Sequence, residues 1–143
     1  MAKTYKSKVV LVIEDEAEIR NFAVRVCELE GYDVLQAGDG DTGLRLAREN
    51  RVALVLLDLR LPVYDGWSAL AQMKSEPELS AIPVIVFTAS AGITRRDKAV
   101  RMGAADYLVK PLSAAGLRKA VARVLRQEGR RYHVIRKSVC AGG

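Results

Sequence analysis

Five short apolar runs are spread along the chain and predict the strands of a sheet. Three of them are apolar at every position, as is typical of strands that are buried on both faces. These three are Val9–Ile13, Ala53–Leu57 and Pro83–Phe87, and two weaker runs, Tyr32–Ala37 and Ala105–Val109, predict further strands. The three fully apolar strands need cover on both sides of the sheet.

Between these runs, apolar residues recur every three or four positions and predict amphipathic helices. Gly31 and Gly103 follow two of the helices as stop residues, and Ser113 is expected to cap the last one. The predicted helices are Glu16–Glu30, Thr42–Asn50, Trp67–Lys74, Arg95–Met102, and a last helix that runs from Ser113 to Gln127 and stops before Gly129.

Strand and helix alternate five times, which predicts an α/β fold with a five-stranded parallel sheet and helices on both faces. The length of 143 residues corresponds to about one domain. We expect residues 1–7 to be an N-terminal extension, residues 8–128 to form the domain, and residues 129–143 to be a basic C-terminal tail.

The formal net charge of +6 is concentrated at one end of the chain. Residues 1–112 carry 15 basic and 16 acidic side chains, whereas residues 113–143 carry 8 basic and 1 acidic. Because the body is near neutral, nucleic acid is an unlikely partner. The first expectation for the basic residues of the last helix is a solvated face, and the second is a docking patch for an acidic protein. The basic residues of the last helix are Arg118, Lys119, Arg123 and Arg126, and in the docking patch they would be joined by Arg130, Arg131, Arg136 and Lys137.

The sequence gives no indication of a membrane partner. No apolar run approaches the roughly 20 residues of a membrane span, and no signal peptide is visible. Cys27 and Cys140 match no metal-binding or redox spacing. We therefore expect a cytoplasmic location.

Polar side chains follow four of the predicted strands, at the edge where ligands bind in open α/β sheets. Two carboxylates at about 4 Å repel each other by about 4 kcal/mol at an effective dielectric constant near 20, so such a group needs compensation. One lysine supplies part of it, and oxygen ligands without histidine or cysteine favour Mg²⁺ for the rest. The residues at this edge are Glu14, Asp15, Glu16, Asp58, Thr88 and Lys110.

This set of side chains fits covalent phosphoryl transfer. Asp58 ends a central apolar strand and is the best candidate nucleophile, because a carboxylate can form an aspartyl phosphate. Lys110 and Mg²⁺ would neutralise charge on the transferring oxygens, and Thr88 can donate a hydrogen bond to one of them.

One glycine-rich stretch resembles a nucleotide-binding motif but has a simpler interpretation. Residues 38–43 read Gly-Asp-Gly-Asp-Thr-Gly, which is literally the dinucleotide-binding pattern. The stretch follows the second strand rather than the first, and Asp39 and Asp41 would repel a pyrophosphate. A glycine- and aspartate-rich turn is therefore the favoured interpretation.

Taken together, these residues closely resemble the receiver domain of bacterial two-component response regulators. The resemblance rests on Glu14-Asp15, Asp58, Thr88-Ala89 and Lys110-Pro111, and also on Leu61-Pro62-x-x-Asp65-Gly66 and Ala105-Asp106-Tyr107. It covers roughly residues 8–128 and implies a flavodoxin-like, doubly wound (βα)5 fold.

The resemblance also implies a role for each matched position. Asp58 would accept a phosphoryl group from a histidine kinase or a phosphotransfer protein. The metal ligands would be Asp15 directly, Glu14 through water, Asp58, and the backbone carbonyl of Arg60. Thr88 and Lys110 would contact the phosphoryl oxygens. The remaining implied features are a switch formed by Thr88 and Tyr107, whose ring turns inward, and a cis peptide at Lys110-Pro111.

The function expected from this resemblance is that of a stand-alone signalling switch, which is not a metabolic enzyme but assists its own phosphorylation and dephosphorylation. Its output would pass to a downstream protein through the fourth helix, fifth strand and fifth helix, with a homodimer as a further possibility. The sequence departs from the family where Glu14 replaces the commoner aspartate. Arg60 and Ser90 occupy positions that tune phosphate lifetime.

Two alternative functions stay open. The first is a pseudo-receiver, which would use the same fold as a protein-binding module without phosphorylation. The second is a phosphatase of the haloacid-dehalogenase type, although that family has an acid two residues after its nucleophile and this chain has Arg60 there.

Overall fold

The predicted alternation of strands and helices is present in full. The structure is a computed structural model that describes residues 8–61, 65–89 and 92–142, with only the backbone for residues 93, 94 and 129–142. The strands are β1 (Val9–Ile13), β2 (Asp33–Ala37), β3 (Leu54–Asp58), β4 (Val84–Thr88) and β5 (Asp106–Val109). The helices are α1 (Ala17–Leu29), α2 (Gly40–Glu49), α3 (Gly66–Ser75), α4 (Ile93–Arg101) and α5 (Ala114–Gly142).

The five strands form one parallel sheet in the order β2-β1-β3-β4-β5. Every residue of β1, β3 and β4 is buried, as expected of strands covered on both faces. The reversal of strand order between β1 and β3 places the ends of the buried strands side by side, which is where α/β sheets bind ligands. The predicted five-stranded doubly wound fold is confirmed.

Alternate side chains of each central strand feed two separate cores. In β1, Leu11 and Ile13 pack with α2, α3 and α4, whereas Val10 and Val12 pack with α1 and α5. Cys27 belongs to the second core as a small buried side chain. Both faces of the sheet are thus covered, and the polar groups of the site are confined to the strand ends.

Most predicted helix ends agree with the structure. Gly31 and Gly103 have φ angles of 91° and 101°, a left-handed conformation that favours glycine after a helix. The Ser113 hydroxyl accepts a hydrogen bond from the Gly116 amide at 2.9 Å, so it caps α5 as predicted. The glycine-rich stretch is the turn into α2, where the Asp39 carboxylate accepts from the Thr42 amide at 2.7 Å.

The predicted end of the last helix is wrong, because α5 continues through Gly129 to Gly142. A glycine inside a helix costs only about 1 kcal/mol relative to alanine, and no proline follows it to stop the helix. The expected basic tail is therefore an extension of α5 over most of its length. On the preceding turns, Arg118, Lys119, Arg123 and Arg126 are all exposed, as both a solvated face and a docking patch require.

Two of these exposed arginines form ion pairs. Arg123 pairs with Asp106 of β5, and Arg118 lies 3.7 Å from Glu30.

In the described part of the chain, no helix has both the length and the apolar character needed to traverse a bilayer.

Gly66 begins α3 directly beneath the end of β3. A Cβ atom at this position would lie 2.2 Å from the Asp58 carbonyl oxygen and 2.4 Å from the Leu59 Cα, both of which are backbone atoms. The Gly66 amide also donates to the Leu59 carbonyl at 3.2 Å. The start of α3 can approach the end of β3 this closely only because residue 66 has no side chain.

We therefore expect Gly66→Ala to lower the free energy of unfolding by roughly 2–3 kcal/mol, because backbone atoms cannot move aside as a flexible side chain can. Urea denaturation measures the change. Gly92→Ala is the matched control, since a Cβ there meets nothing within 4 Å. Equal unfolding midpoints for the two variants would contradict this account of Gly66.

Candidate functional site

The first part of the site is the acidic pair that follows β1. The Glu14 side chain is fully buried and turns back on its own loop, so that its Oε1 accepts a hydrogen bond from the Glu16 amide at 3.0 Å. Asp15 is exposed beside it. Glu16 is also exposed and contributes its backbone rather than its carboxylate to this arrangement.

The strand register brings Asp58 next to this pair. Ile13 of β1 is paired with Leu57 of β3, so the residues that follow, Glu14 and Asp58, lie side by side. Asp58 is 1% exposed, and its Oδ1 accepts a hydrogen bond from the Arg60 amide at 3.0 Å. The nearest carboxylate oxygens of Glu14, Asp15 and Asp58 all lie within 4.8 Å of one another.

Lys110 follows β5 and extends across to both buried acids. Its Nζ lies 3.1 Å from Glu14 Oε2 and 3.3 Å from Asp58 Oδ2, and the side chain is 11% exposed. The same Nζ lies 5.3 Å from the centre of the Phe87 ring. The peptide between Lys110 and Pro111 is cis, as the family resemblance implied.

The pKa values reflect this crowding of charges. Burial raises the pKa of Glu14 to about 7; the nearby Asp58 charge adds to the rise, and the Glu16 amide and Lys110 oppose it. Burial lowers the pKa of Lys110, but the two carboxylates outweigh burial and leave it above its usual value. Lys110 therefore stays an ammonium while Glu14 resists ionisation.

One ammonium does not compensate three neighbouring carboxyl groups. Glu14 Oε2 is buried and forms an ion pair with Lys110. Among the described residues, it has no donor in hydrogen-bonding geometry. Clustered oxygen donors with a residual negative charge are the donor set of a hard divalent cation. Glu14, Asp15 and Asp58 could therefore hold such an ion.

The two residues predicted to form a switch occupy neighbouring strands. Thr88 ends β4, is fully buried, and is paired in register with Val109, next to Lys110. Tyr107 is 8% exposed and belongs to the core under α2, α3 and α4. Tyr107 is thus largely buried among apolar side chains, and the switch role of Thr88 and Tyr107 stays a prediction.

Arg60 follows Asp58 by two residues, and Ser90 follows Thr88 by two. The Arg60 amide contacts Asp58, whereas its carbonyl as a metal ligand stays a prediction. Ser90 lies outside the described residues.

The motif comparison missed Arg20, which lies one turn into α1. Its Nη1 donates to the Glu14 carbonyl at 2.8 Å and to the Asp15 carbonyl at 3.4 Å. Its Nε donates to Gln36 Oε1 on β2 at 3.2 Å. The only signal for it in the sequence is an arginine five residues after Asp15, on a helix whose first turn borders the acidic edge.

The raised pKa of Glu14 makes the stability of the metal-free protein depend on pH. Because the pKa is about 7 in the folded state and 4.5 is its ordinary value, folding favours the protonated form. The preference of the folded state for protonated Glu14 contributes fully to the free energy of unfolding below pH 4.5. As pH rises through 7 the contribution is lost, by up to about 1.4 kcal/mol per pH unit.

Glu14→Gln keeps the neutral form at every pH. In EDTA, its unfolding free energy relative to the unsubstituted protein should therefore increase between pH 5 and pH 8. Urea denaturation at the two pH values measures this, with the exposed Glu28→Gln as the control. A difference that is the same at both pH values would contradict the protonated, buried Glu14.

Comparisons with known proteins agree with this fold. The sequence model of the protein family described as "Response regulator receiver domain" matches residues 10–122. A "Probable transcriptional regulator ycf27" of Porphyridium aerugineum is 36% identical over 118 residues, which are 82% of this chain and 48% of that protein. The "Transcriptional regulatory protein PrrA" of Mycobacterium bovis is 36% identical over 84% of this chain and 51% of that protein. The chain thus spans about half the length of these curated relatives.

Solved structures show the same similarity. The chemotaxis protein CheY4 of Vibrio cholerae superposes with a TM-score of 0.78 at 25% identity, over 82% of this chain and 98% of that one. NtrX from Brucella abortus superposes with a TM-score of 0.83 at 28% identity, over 90% of this chain and 29% of that one. With its parallel sheet, its acidic edge and the family match over most of its length, the chain belongs to the response regulator receiver domain family.

Proposed function

We propose that the chain is a Mg²⁺-dependent signalling switch that accepts a phosphoryl group on Asp58. The observation that carries the proposal is the surroundings of this carboxylate. Asp58 is buried at the end of a central strand, 3.3 Å from the Lys110 ammonium, and its oxygens lie within 4.8 Å of those of Glu14 and Asp15. A negatively charged group can approach such a carboxylate only where cations offset the repulsion.

The donor would be the phosphohistidine of a histidine kinase or a phosphotransfer protein, the partner that the family implies. One Asp58 oxygen attacks phosphorus, the P–N bond to the imidazole breaks, and the bonding electrons leave with the histidine nitrogen. The product is an aspartyl phosphate and an uncharged imidazole after proton exchange with solvent. The Arg60 amide, at 3.0 Å from Oδ1, orients the carboxylate for this attack.

The residues around Asp58 supply the remaining requirements. Asp15 would bind Mg²⁺ directly, Glu14 would act through water, and the Arg60 carbonyl would complete the protein ligands. Bound Mg²⁺ would neutralise charge on the phosphoryl oxygens and would offset the excess of carboxylates. Lys110 would contact one phosphoryl oxygen, and Thr88 would donate a hydrogen bond from its hydroxyl to another.

Output would pass through the face formed by α4, β5 and α5. Large apolar side chains are exposed there, with Val100 of α4 at 53% and Val109 of β5 at 41% exposure. Thr88 and Tyr107 would connect this face to the phosphorylation site, because Thr88 is the last residue of β4 and Tyr107 lies in β5. Apolar exposure with basic residues around it suits a downstream protein with an apolar and acidic contact surface.

The names of the curated relatives bear on a different output, the regulation of transcription. They are named transcriptional regulators, and this chain matches about half of their length. That nucleic acid is an unlikely partner of this domain stays a prediction, as do the stand-alone arrangement and the cytoplasmic location. The haloacid-dehalogenase alternative is disfavoured because Arg60 stands where that reaction needs an acid.

The test is incubation with acetyl phosphate and Mg²⁺, followed by intact-mass measurement. We expect the protein to gain the mass of one phosphoryl group, Asp58→Asn to gain none, and EDTA to abolish the gain. Asp41→Asn is the matched control, because Asp41 is exposed in the first turn of α2 and should leave the reaction unchanged.

Two results would overturn the proposal. They are the absence of an adduct on the unsubstituted protein and an adduct that persists in Asp58→Asn. Mg²⁺ binding without an adduct would favour the pseudo-receiver, and turnover of a small phosphate ester would favour the phosphatase.

A further inference from the structure

We propose that Arg20 is a positioning residue that holds the acidic loop between β1 and α1 in the geometry that binds the metal. The inference rests on the proposed function only in assigning Mg²⁺ to this loop. Arg20 itself would touch neither the metal nor the phosphoryl group, because its guanidinium donors are directed at backbone and amide oxygens.

The loop has few other attachments to the rest of the fold. The Glu14 amide donates to the Ala37 carbonyl at 3.0 Å, and the Glu14 carboxylate accepts from the Glu16 amide. The second of these bonds lies within the loop and uses the very carboxylate that the metal site needs. Two side chains reach the loop from outside it: Lys110, whose Nζ lies 3.1 Å from Glu14 Oε2, and Arg20, which contacts the backbone carbonyls of Glu14 and Asp15.

The guanidinium makes three contacts at once, two with the loop and one with β2. Nη1 donates to the carbonyls of Glu14 and Asp15, whereas Nε donates to the Gln36 side chain on β2. The planar group has fixed donor directions, so its contact with β2 determines where Nη1 points. A lysine has one charged nitrogen at the end of a flexible chain and cannot maintain all three contacts together.

Charge and position predict opposite effects of removing Arg20. A positive guanidinium next to a cation site repels the cation, so its loss would tighten Mg²⁺ binding if charge were all that mattered. If Arg20 positions the loop, its loss leaves Asp15 free to move and weakens Mg²⁺ binding. Groups that orient metal ligands from outside the ligand shell typically change affinity tenfold or more.

The measurement is the Mg²⁺ dissociation constant by isothermal titration calorimetry. We expect Arg20→Ala to raise it about tenfold, with Arg20→Lys intermediate and Gln36→Ala raising it by a smaller factor. Arg25→Ala is the matched control, since Arg25 is exposed on the same helix and carries the same charge. The Mg²⁺ dissociation constant of this variant should stay within about twofold of that of the unsubstituted protein, because a surface charge is screened. Repeating the titrations at high salt should leave the Arg20→Ala effect in place.

Thermal melting without metal separates positioning from loss of the fold. If Arg20→Ala does not fold, Arg20→Lys and Gln36→Ala carry the test, since both retain charge at residue 20. An unchanged or lowered dissociation constant in Arg20→Ala, or in these two variants if it fails to fold, would overturn the proposal. So would equal weakening by Arg25→Ala. The two proposals fail in different measurements. Failure of the proposed function appears as a missing mass adduct on Asp58, whereas failure of the Arg20 proposal appears in the Mg²⁺ dissociation constant.

Discussion

The site depends on two carboxyl groups that are buried side by side with one ammonium between them. Carboxylate oxygens of Glu14 and Asp58 lie within 4.8 Å of each other because their strands are neighbours in the sheet, and Lys110 reaches both from the end of β5. Removing such charges from water is costly unless partners compensate them. The compensation is incomplete, which raises the pKa of Glu14 and leaves the edge of the sheet suited to a cation.

The rest of the fold restricts the movement of these groups. Two apolar cores lock β1, β3 and β4 from both faces, so that the strand ends have little freedom to relieve the repulsion. Gly66 allows the start of α3 to press against the backbone of Asp58. Arg20 secures the opposite side of the site by contacting the carbonyls of the acidic loop. The functional groups are therefore held by packing and by backbone contacts.

Most of the fold could be predicted from local pattern, and the errors have identifiable causes. The pattern predicts every strand to within one residue, and for β1, β3 and β4 the reason is that a fully apolar run between polar residues has one reasonable interpretation. The end of α5 was predicted wrongly because Gly129 is a stop signal only when the chain leaves the helix there, and here it does not. The inward position of Tyr107 also depends on the core beneath it, which no local pattern describes.

The sequence alone determined which chemical groups stand at the strand ends, since strand period and polar termination are local properties. It also determined the near-neutral body and the basic last helix. The tertiary structure decided the rest, because strand order and register bring residues that are far apart in the chain to within hydrogen-bonding distance. It decided that Glu14 is buried while Asp15 is exposed, that Lys110 reaches both buried acids, and that Arg20 faces the acidic loop.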